Sequence, residues 1–252
     1  MSAPFGSLAW AALHGGRLTL AERITETFHG ARGLAVDRSA RLASRLGIRP
    51  RAVRMLLADV PIPRGAVVAA AEHALASAEP WVLGHSMRTY LFGAMLGVRD
   101  GIRADAEVLL VASLLHDIGL VHREGAACFA IRGAMQARDI VLGANGGDVL
   151  AGRVTDAIST HLNVRPVATS PEARLLRAGA GFDVVGERFD HLDAASRHEV
   201  IAAWTRDGFA KPLRAALSDE AKTHPGTRMA FLCGGLGFLR LIEQADRRFV
   251  SN

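Results

Sequence analysis

Leu114-Leu115-His116-Asp117-Ile118-Gly119 closes an apolar run that begins at Val108. The run delivers an imidazole and a carboxylate side by side at the end of a helix that is otherwise core. Neighbouring helical residues point about 100° apart, so both cannot face solvent while the helix stays buried, yet both can converge on an ion just beyond its end. Ionisable groups taken out of water need a partner or a metal. A bare His-Asp dipeptide more often caps a helix or hydrogen-bonds within a core. This one has company: His85 lies 31 residues before His116, His161 lies 45 after it, and Asp183 lies 66 after Asp117. Each sits where a solvated polar residue would interrupt an apolar face.

Helical periodicity dominates the elements that must hold these side chains, and strand-like alternation bounded by turn signals is nearly absent. Thr19 with Glu22 reads as a capping box opening a helix that stops near Gly30; Asp37 starts another ending at Gly47, and Pro50 opens a third running to about Asp59. Longer helices are predicted near 64–78, 80–97 and 104–118, each with apolar residues three and four apart. Others follow near 129–142, 147–161, 171–185, 194–204, 211–222 and 227–247. Loops are predicted at 121–127, 144–147 and 163–170, where Gly, Asn and Pro break the period. The expected class is all-α. Residues 1–58 are expected as an N-terminal helical segment packing on a body formed by 59–252, the whole making one structural unit.

Composition narrows the function classes. Of the 252 residues, 50% are apolar and 22% charged, a globular balance rather than that of a disordered tail or a collagen-like repeat. A chain this long buries enough surface to fold without a structural metal, so any metal would be bound for chemistry. The net charge of +5 and pI of about 10.1 invite a nucleic-acid reading. However, Lys211 and Lys222 are the only lysines, so 28 of the 30 basic residues are arginines, scattered among acids without a tract. Nucleic-acid binding therefore ranks last among the readings. Cys128 and Cys233 are isolated, which suits a reducing compartment. Neither a secretory leader nor a membrane span is legible, and a cytoplasmic protein is expected.

In order and type, His85, His116-Asp117 and Asp183 match the signature of the HD superfamily of metal-dependent hydrolases, which the sequence resembles from about Asp59 to Asp246. The resemblance extends to the cyanamide hydratase-like branch. Its features are Gly84-His85-Ser86-Met87-Arg88-Thr89-Tyr90, Leu115-His116-Asp117-Ile118-Gly119, Phe129-Ala130-Ile131-Arg132-Gly133-Ala134, Thr160-His161 and Phe182-Asp183-Val184-Val185-Gly186. It implies an HD-domain helical bundle in which His85, His116, Asp117 and Asp183 bind one divalent ion. One departure stands out. Cyanamide hydratases usually carry a glutamate after the aromatic of the third segment, working beside the metal-bound water, and here that position is Ala130.

Two imidazoles and two carboxylates suit a borderline ion, Zn²⁺ first and Fe²⁺ or Mn²⁺ next. Such an ion lowers the pKa of bound water towards about 7 and supplies a nucleophile at neutral pH. His161 is the candidate for general acid-base work or substrate holding, with a supporting hydrogen bond or a place on a second metal as alternatives. Asp117 is the other catalytic candidate, since the resemblance to mononuclear HD phosphohydrolases implies a ligand carboxylate that also touches the water.

Arg88, three residues after His85, has the fork to hold an anionic substrate group; the alternative is a salt bridge to Asp183 or a neighbouring acid. His122, in the loop after the His-Asp pair, is a second substrate-binding candidate at the pocket mouth. His14, His29, His73, His191, His198 and His224 lack ligand-like company and read as surface or core fillers.

Three functions follow. The first is hydrolysis or hydration of a small electrophile such as a nitrile or cyanamide-like molecule. The second is phosphohydrolysis of a nucleotide or phosphate ester, which needs basic residues around the metal, where only Arg88, Arg132 and Arg165 are in view. The third is a non-catalytic ligand-binding module. Expected partners are a small-molecule substrate and, where the bundle self-associates, a second copy of the chain; neither nucleic acid nor a membrane is expected.

Overall fold

Side-chain caps fix where the helices begin in the computed structural model, which describes residues 3–48, 52–164 and 169–250. Thr19 and Glu22 form the capping box: the Thr19 amide donates to Glu22 Oε2 (2.8 Å) and the Glu22 amide to Thr19 Oγ1 (3.3 Å). Asp105, Ser170, Asp193 and Thr227 each accept a first-turn amide with the side chain.

The helices are α1 Leu8–His14, α2 Leu20–Arg45, α3 Ala66–Ala74, α4 Pro80–Asp100, α5 Ala106–Leu115, α6 Ile118–Val121 and α7 Phe129–Gly143. They continue as α8 Gly147–Thr160, α9 Pro171–Val185, α10 Ala194–Ala203, α11 Ala210–Thr223, α12 Arg228–Gly235 and α13 Phe238–Val250. Two isolated bridges, Arg17 with Thr227 and Val53 with Leu192, are the only β-type pairings among the described residues. The all-α expectation holds. No helix among the described residues is long and apolar enough to cross a membrane.

The centre of the bundle is α4, packed along α9 and against α5, with α7 laid on α8. Tyr90, Phe92, Met95, Leu110, Leu114, Ile158 and Phe182 fill the space between them. Two close backbone approaches set the geometry. A Cβ on Gly179 of α9 would lie 2.0 Å from the Thr89 carbonyl oxygen and 2.9 Å from the Gly93 amide of α4. A Cβ on Gly119 would lie 2.2 Å from the Phe129 carbonyl oxygen, so only glycine lets α6 seat on α7.

Several boundaries differ from the sequence reading. Residues 20–45 form one helix rather than two, because interior glycines cost only about 1 kcal/mol each. The glycine at 30 also leaves room for Leu236, whose side chain would have to shift for a Cβ there, 2.6 Å away. Pro50 lies outside the described residues, and the helix expected after it is a single 3₁₀ turn, Leu57–Asp59. Upstream of that turn, the Val53 amide donates to the His191 carbonyl (3.0 Å). The expected helix 227–247 breaks at Gly237, whose φ is +64°. The unanticipated α1 is capped by Ser7 and buries Trp10 beside Phe5, Leu18 and Ile131.

Candidate metal centre

The apolar run that forms α5 stops at Leu115, and His116 and Asp117 occupy the joint between α5 and α6. Asp117 leaves helical geometry there (φ −104°, ψ 8°). Buried on all sides, the joint turns both side chains towards α4, where His85 sits two turns before the Gly93 contact. The Nε2 atoms of His85 and His116 are 3.1 Å apart, and Asp117 Oδ2 is 3.5 Å from the first and 3.4 Å from the second.

The partners on the far side of each ring decide which nitrogen carries the proton. His116 Nδ1 faces the Ser113 carbonyl oxygen at 2.8 Å, His161 Nδ1 faces that of Ile158 at 2.6 Å, and His85 Nδ1 faces Asp183 Oδ2 at 2.7 Å. Carbonyl and carboxylate oxygens only accept, so in the neutral rings each Nδ1 donates and each Nε2 keeps its lone pair. Two lone pairs 3.1 Å apart beside a carboxylate oxygen require something positive between them. The point equidistant from the three donors lies about 1.9 Å from each. Metal–ligand bonds of about 2.0–2.2 Å would suit a small divalent cation held by these three atoms. The residues present fit a divalent ion.

Asp183, expected as a fourth ligand, lies against His85 Nδ1, outside the cluster of His85, His116 and Asp117. Its Oδ2 takes the His85 Nδ1 proton, and its Oδ1 accepts from Arg88 Nε (2.9 Å) and from Arg206. Burial opposes its charge, but Arg88, Arg206 and His85 outweigh that and hold the carboxyl well below the usual carboxylate range. A carboxylate on the outer nitrogen of a ligand histidine fixes the ring and raises its basicity. In this geometry the donor cluster comprises His85, His116 and Asp117, with Asp183 orienting one of them.

Arg88 corrects the substrate-anion expectation. It is fully buried, spends Nε on Asp183, donates Nη1 to the Thr205 carbonyl (2.6 Å), and lies over the Phe209 ring. The alternative, an internal ion pair, is what the structure contains. His122, the other substrate-binding candidate, is exposed at the end of α6 and is not among the residues that line the site's cavity.

His161 does line the cavity, its ring centroid 5.2 Å from that of His116 and nearly perpendicular to it. Burial and the neighbouring His116 push its pKa down to about 3, so at working pH the ring is neutral and offers Nε2 as an acceptor. His116 is also held below its ordinary range, chiefly by burial, although Asp117 opposes the shift.

Four contributors were not anticipated. Arg206 is one arginine among many and carries no local signal, yet it supports Asp183. Phe209 stacks on His85 with centroids 5.1 Å apart. His29 and Asp37 of α2 line the cavity; the first had read as a filler.

The cavity has a volume of about 230 Å³ and reaches the donor triangle between α2, α9, α11, α12 and the start of α13. No curated protein matches the chain. Residues 82–178, which carry His85, His116, Asp117 and His161, match the family model described as the HD domain, and this supports the HD superfamily for the chain.

Proposed function

We propose that this chain is a metal-dependent hydrolase or hydratase that directs water onto a small neutral electrophile. One observation carries the reading: the triangle of His85 Nε2, His116 Nε2 and Asp117 Oδ2, a buried donor set that could hold a cation. Zn²⁺ suits the N₂O donor set best, with Fe²⁺ and Mn²⁺ as alternatives. Bound there, such an ion supplies hydroxide at neutral pH. The chain's own residues do the rest. Asp117 would orient the water through its carboxylate, and the neutral His161 ring, its pKa lowered to about 3, would hold water or substrate through a hydrogen bond accepted at Nε2. Asp183, steadied by Arg88 and Arg206, keeps the His85 ring in register.

The nature of the electrophile follows from which charges are already satisfied. Arg88 is spent on Asp183 and Arg132 on Glu220 (2.8 Å); Arg165 lies outside the described residues. Of the arginines that the sequence offers to a phosphate, Arg88 and Arg132 are therefore paired elsewhere, which favours a neutral carbon centre over a phosphate ester. Ala130 is buried in α7, so the carboxylate that cyanamide hydratases place there is missing. A different nitrile, an isonitrile or an amide suits this site as well as cyanamide does.

The test is turnover by protein loaded with Zn²⁺, Mn²⁺ or, anaerobically, Fe²⁺, against cyanamide, simple nitriles and amides, p-nitrophenyl phosphate and nucleoside monophosphates. Hydration or hydrolysis of a neutral substrate that His116→Ala abolishes is the expected result. Turnover of phosphate esters alone would establish the phosphohydrolase reading instead, and stoichiometric metal without turnover of any substrate would establish the binding module.

A further inference from the structure

The wall of the cavity is far less polar than its metal end. Leu213 and Leu217 of α11, Leu232 of α12, Leu236 just after it, and Val184 and Val185 of α9 line the approach to the His85, His116, Asp117 and His161 cluster, with His29, Asp37, Arg177 and Glu187 as polar members of the same lining. Arg177, the arginine in that wall, donates Nε to the Asn163 carbonyl (2.9 Å) and lies 3.5 Å from Glu187. Its charge is neutralised before any ligand arrives. Water against the leucine and valine side chains finds few hydrogen-bond partners, and for scale an apolar cavity of about 150 Å³ takes up a molecule the size of benzene. At about 230 Å³, this one accommodates roughly nine or ten non-hydrogen atoms on the same scale. Pockets with an apolar wall and a few convergent polar groups are the usual form of a small-molecule site.

From this geometry we infer that the substrate is a neutral amide or nitrile carrying an unbranched or aryl apolar body of about six to eight carbons, its polar end at the donor triangle and its body along the leucine wall. The inference rests on the reading of that triangle as the reacting end, and it is tested by binding rather than turnover.

Isothermal titration with straight-chain amides from butanamide to dodecanamide is run on zinc-loaded protein and on protein dialysed against a chelator. Affinity is expected to rise about three- to four-fold per methylene up to octanamide, about a hundred-fold in all, and to stop rising by dodecanamide. The same slope is expected without metal, because the wall does not depend on the ion. Inorganic phosphate and adenosine monophosphate are expected not to displace octanamide.

Ala180→Phe, which narrows the wall, is expected to move the optimum to a shorter chain; if that variant fails to fold by circular dichroism, Leu241→Trp serves the same purpose from α13. A flat series, or displacement by adenosine monophosphate, overturns the inference. A steep series in a protein that turns over no amide or nitrile leaves the chain-length preference of the cavity as a ligand preference and removes the proposed reaction; turnover with a flat series keeps the reaction and overturns the preference.

Discussion

His85 and Asp183 face each other at 2.7 Å, Nδ1 to Oδ2, across helices held in close contact by Gly179 and Gly93. The carboxylate thereby fixes the tautomer that turns the His85 Nε2 lone pair to His116. Arg88 and Arg206 neutralise it from behind. Asp183→Asn removes the charge while keeping the shape, so zinc affinity is expected to fall about 10- to 100-fold. Buried Arg88 also loses its counter-ion and Arg206 is left with Asp246 alone, at 3.5 Å, so stability is expected to drop by about 3 kcal/mol. Competition with a chromophoric chelator reads the first effect and urea denaturation the second. Wild-type values for both would show that Asp183 does not position His85.

Removing one vertex of the donor triangle has a sharper consequence. His116→Ala leaves one imidazole and one carboxylate, too few to hold a borderline ion against dialysis. Metal analysis of the purified protein is expected to fall from about one equivalent per chain to background. His122→Ala, in an exposed side chain outside the cavity, is expected to retain full metal. Equal metal in wild type and His116→Ala would mean that the ion sits elsewhere or nowhere.

How far this centre was legible in the sequence depended on whether each signal was local. An apolar run ending in His-Asp announces its own burial, and the capping box at Thr19 needs only four residues. The HD pair and His85 were therefore readable before any coordinates. Arg206 and Phe209 were not, because an arginine and a phenylalanine in a loop acquire their roles only when α9 and α4 bring Asp183 and His85 to them. The same applies to His29, which becomes a cavity residue only because α2 continues through Gly30 instead of stopping there. Asp183 was visible as a buried carboxylate, but its side of the His85 ring depends on the α4–α9 register, which no spacing encodes.

That register rests on backbone contact, which makes Gly179→Ala informative. The added methyl would sit 2.0 Å from the Thr89 carbonyl oxygen, so α9 must move away from α4 or the chain must strain. Overpacking of this kind costs about 1–3 kcal/mol, and the His85–Asp183 bond should lengthen with it. A lowered melting temperature together with weaker zinc binding is the expected pair of results. At Gly143, where a Cβ would meet nothing within 4 Å, the same substitution should leave zinc binding intact. Gly179→Ala with unaltered stability would show that the two helices are not limited by this contact.

Acid sensitivity offers a test of the buried neutral imidazoles. Burial, aided by His116, lowers the His161 pKa to about 3; burial, aided by Arg188 and Arg99, lowers that of His191 to about 4. An unfolded chain protonates both near 6.5, so between about pH 6.5 and 4 the unfolded state binds more protons than the folded one. Stability therefore rises with pH across that window. The contribution is fully present above about pH 6.5 and is progressively lost as the pH falls towards the folded values. Metal-free protein should accordingly show urea midpoints that decline steadily from pH 7.5 to pH 5. His191→Gln, remote from the metal ligands, should make that decline shallower without altering zinc binding at pH 7.5. A midpoint independent of pH over this range, or one that increases on acidification, would mean that these imidazoles are not held neutral by the fold.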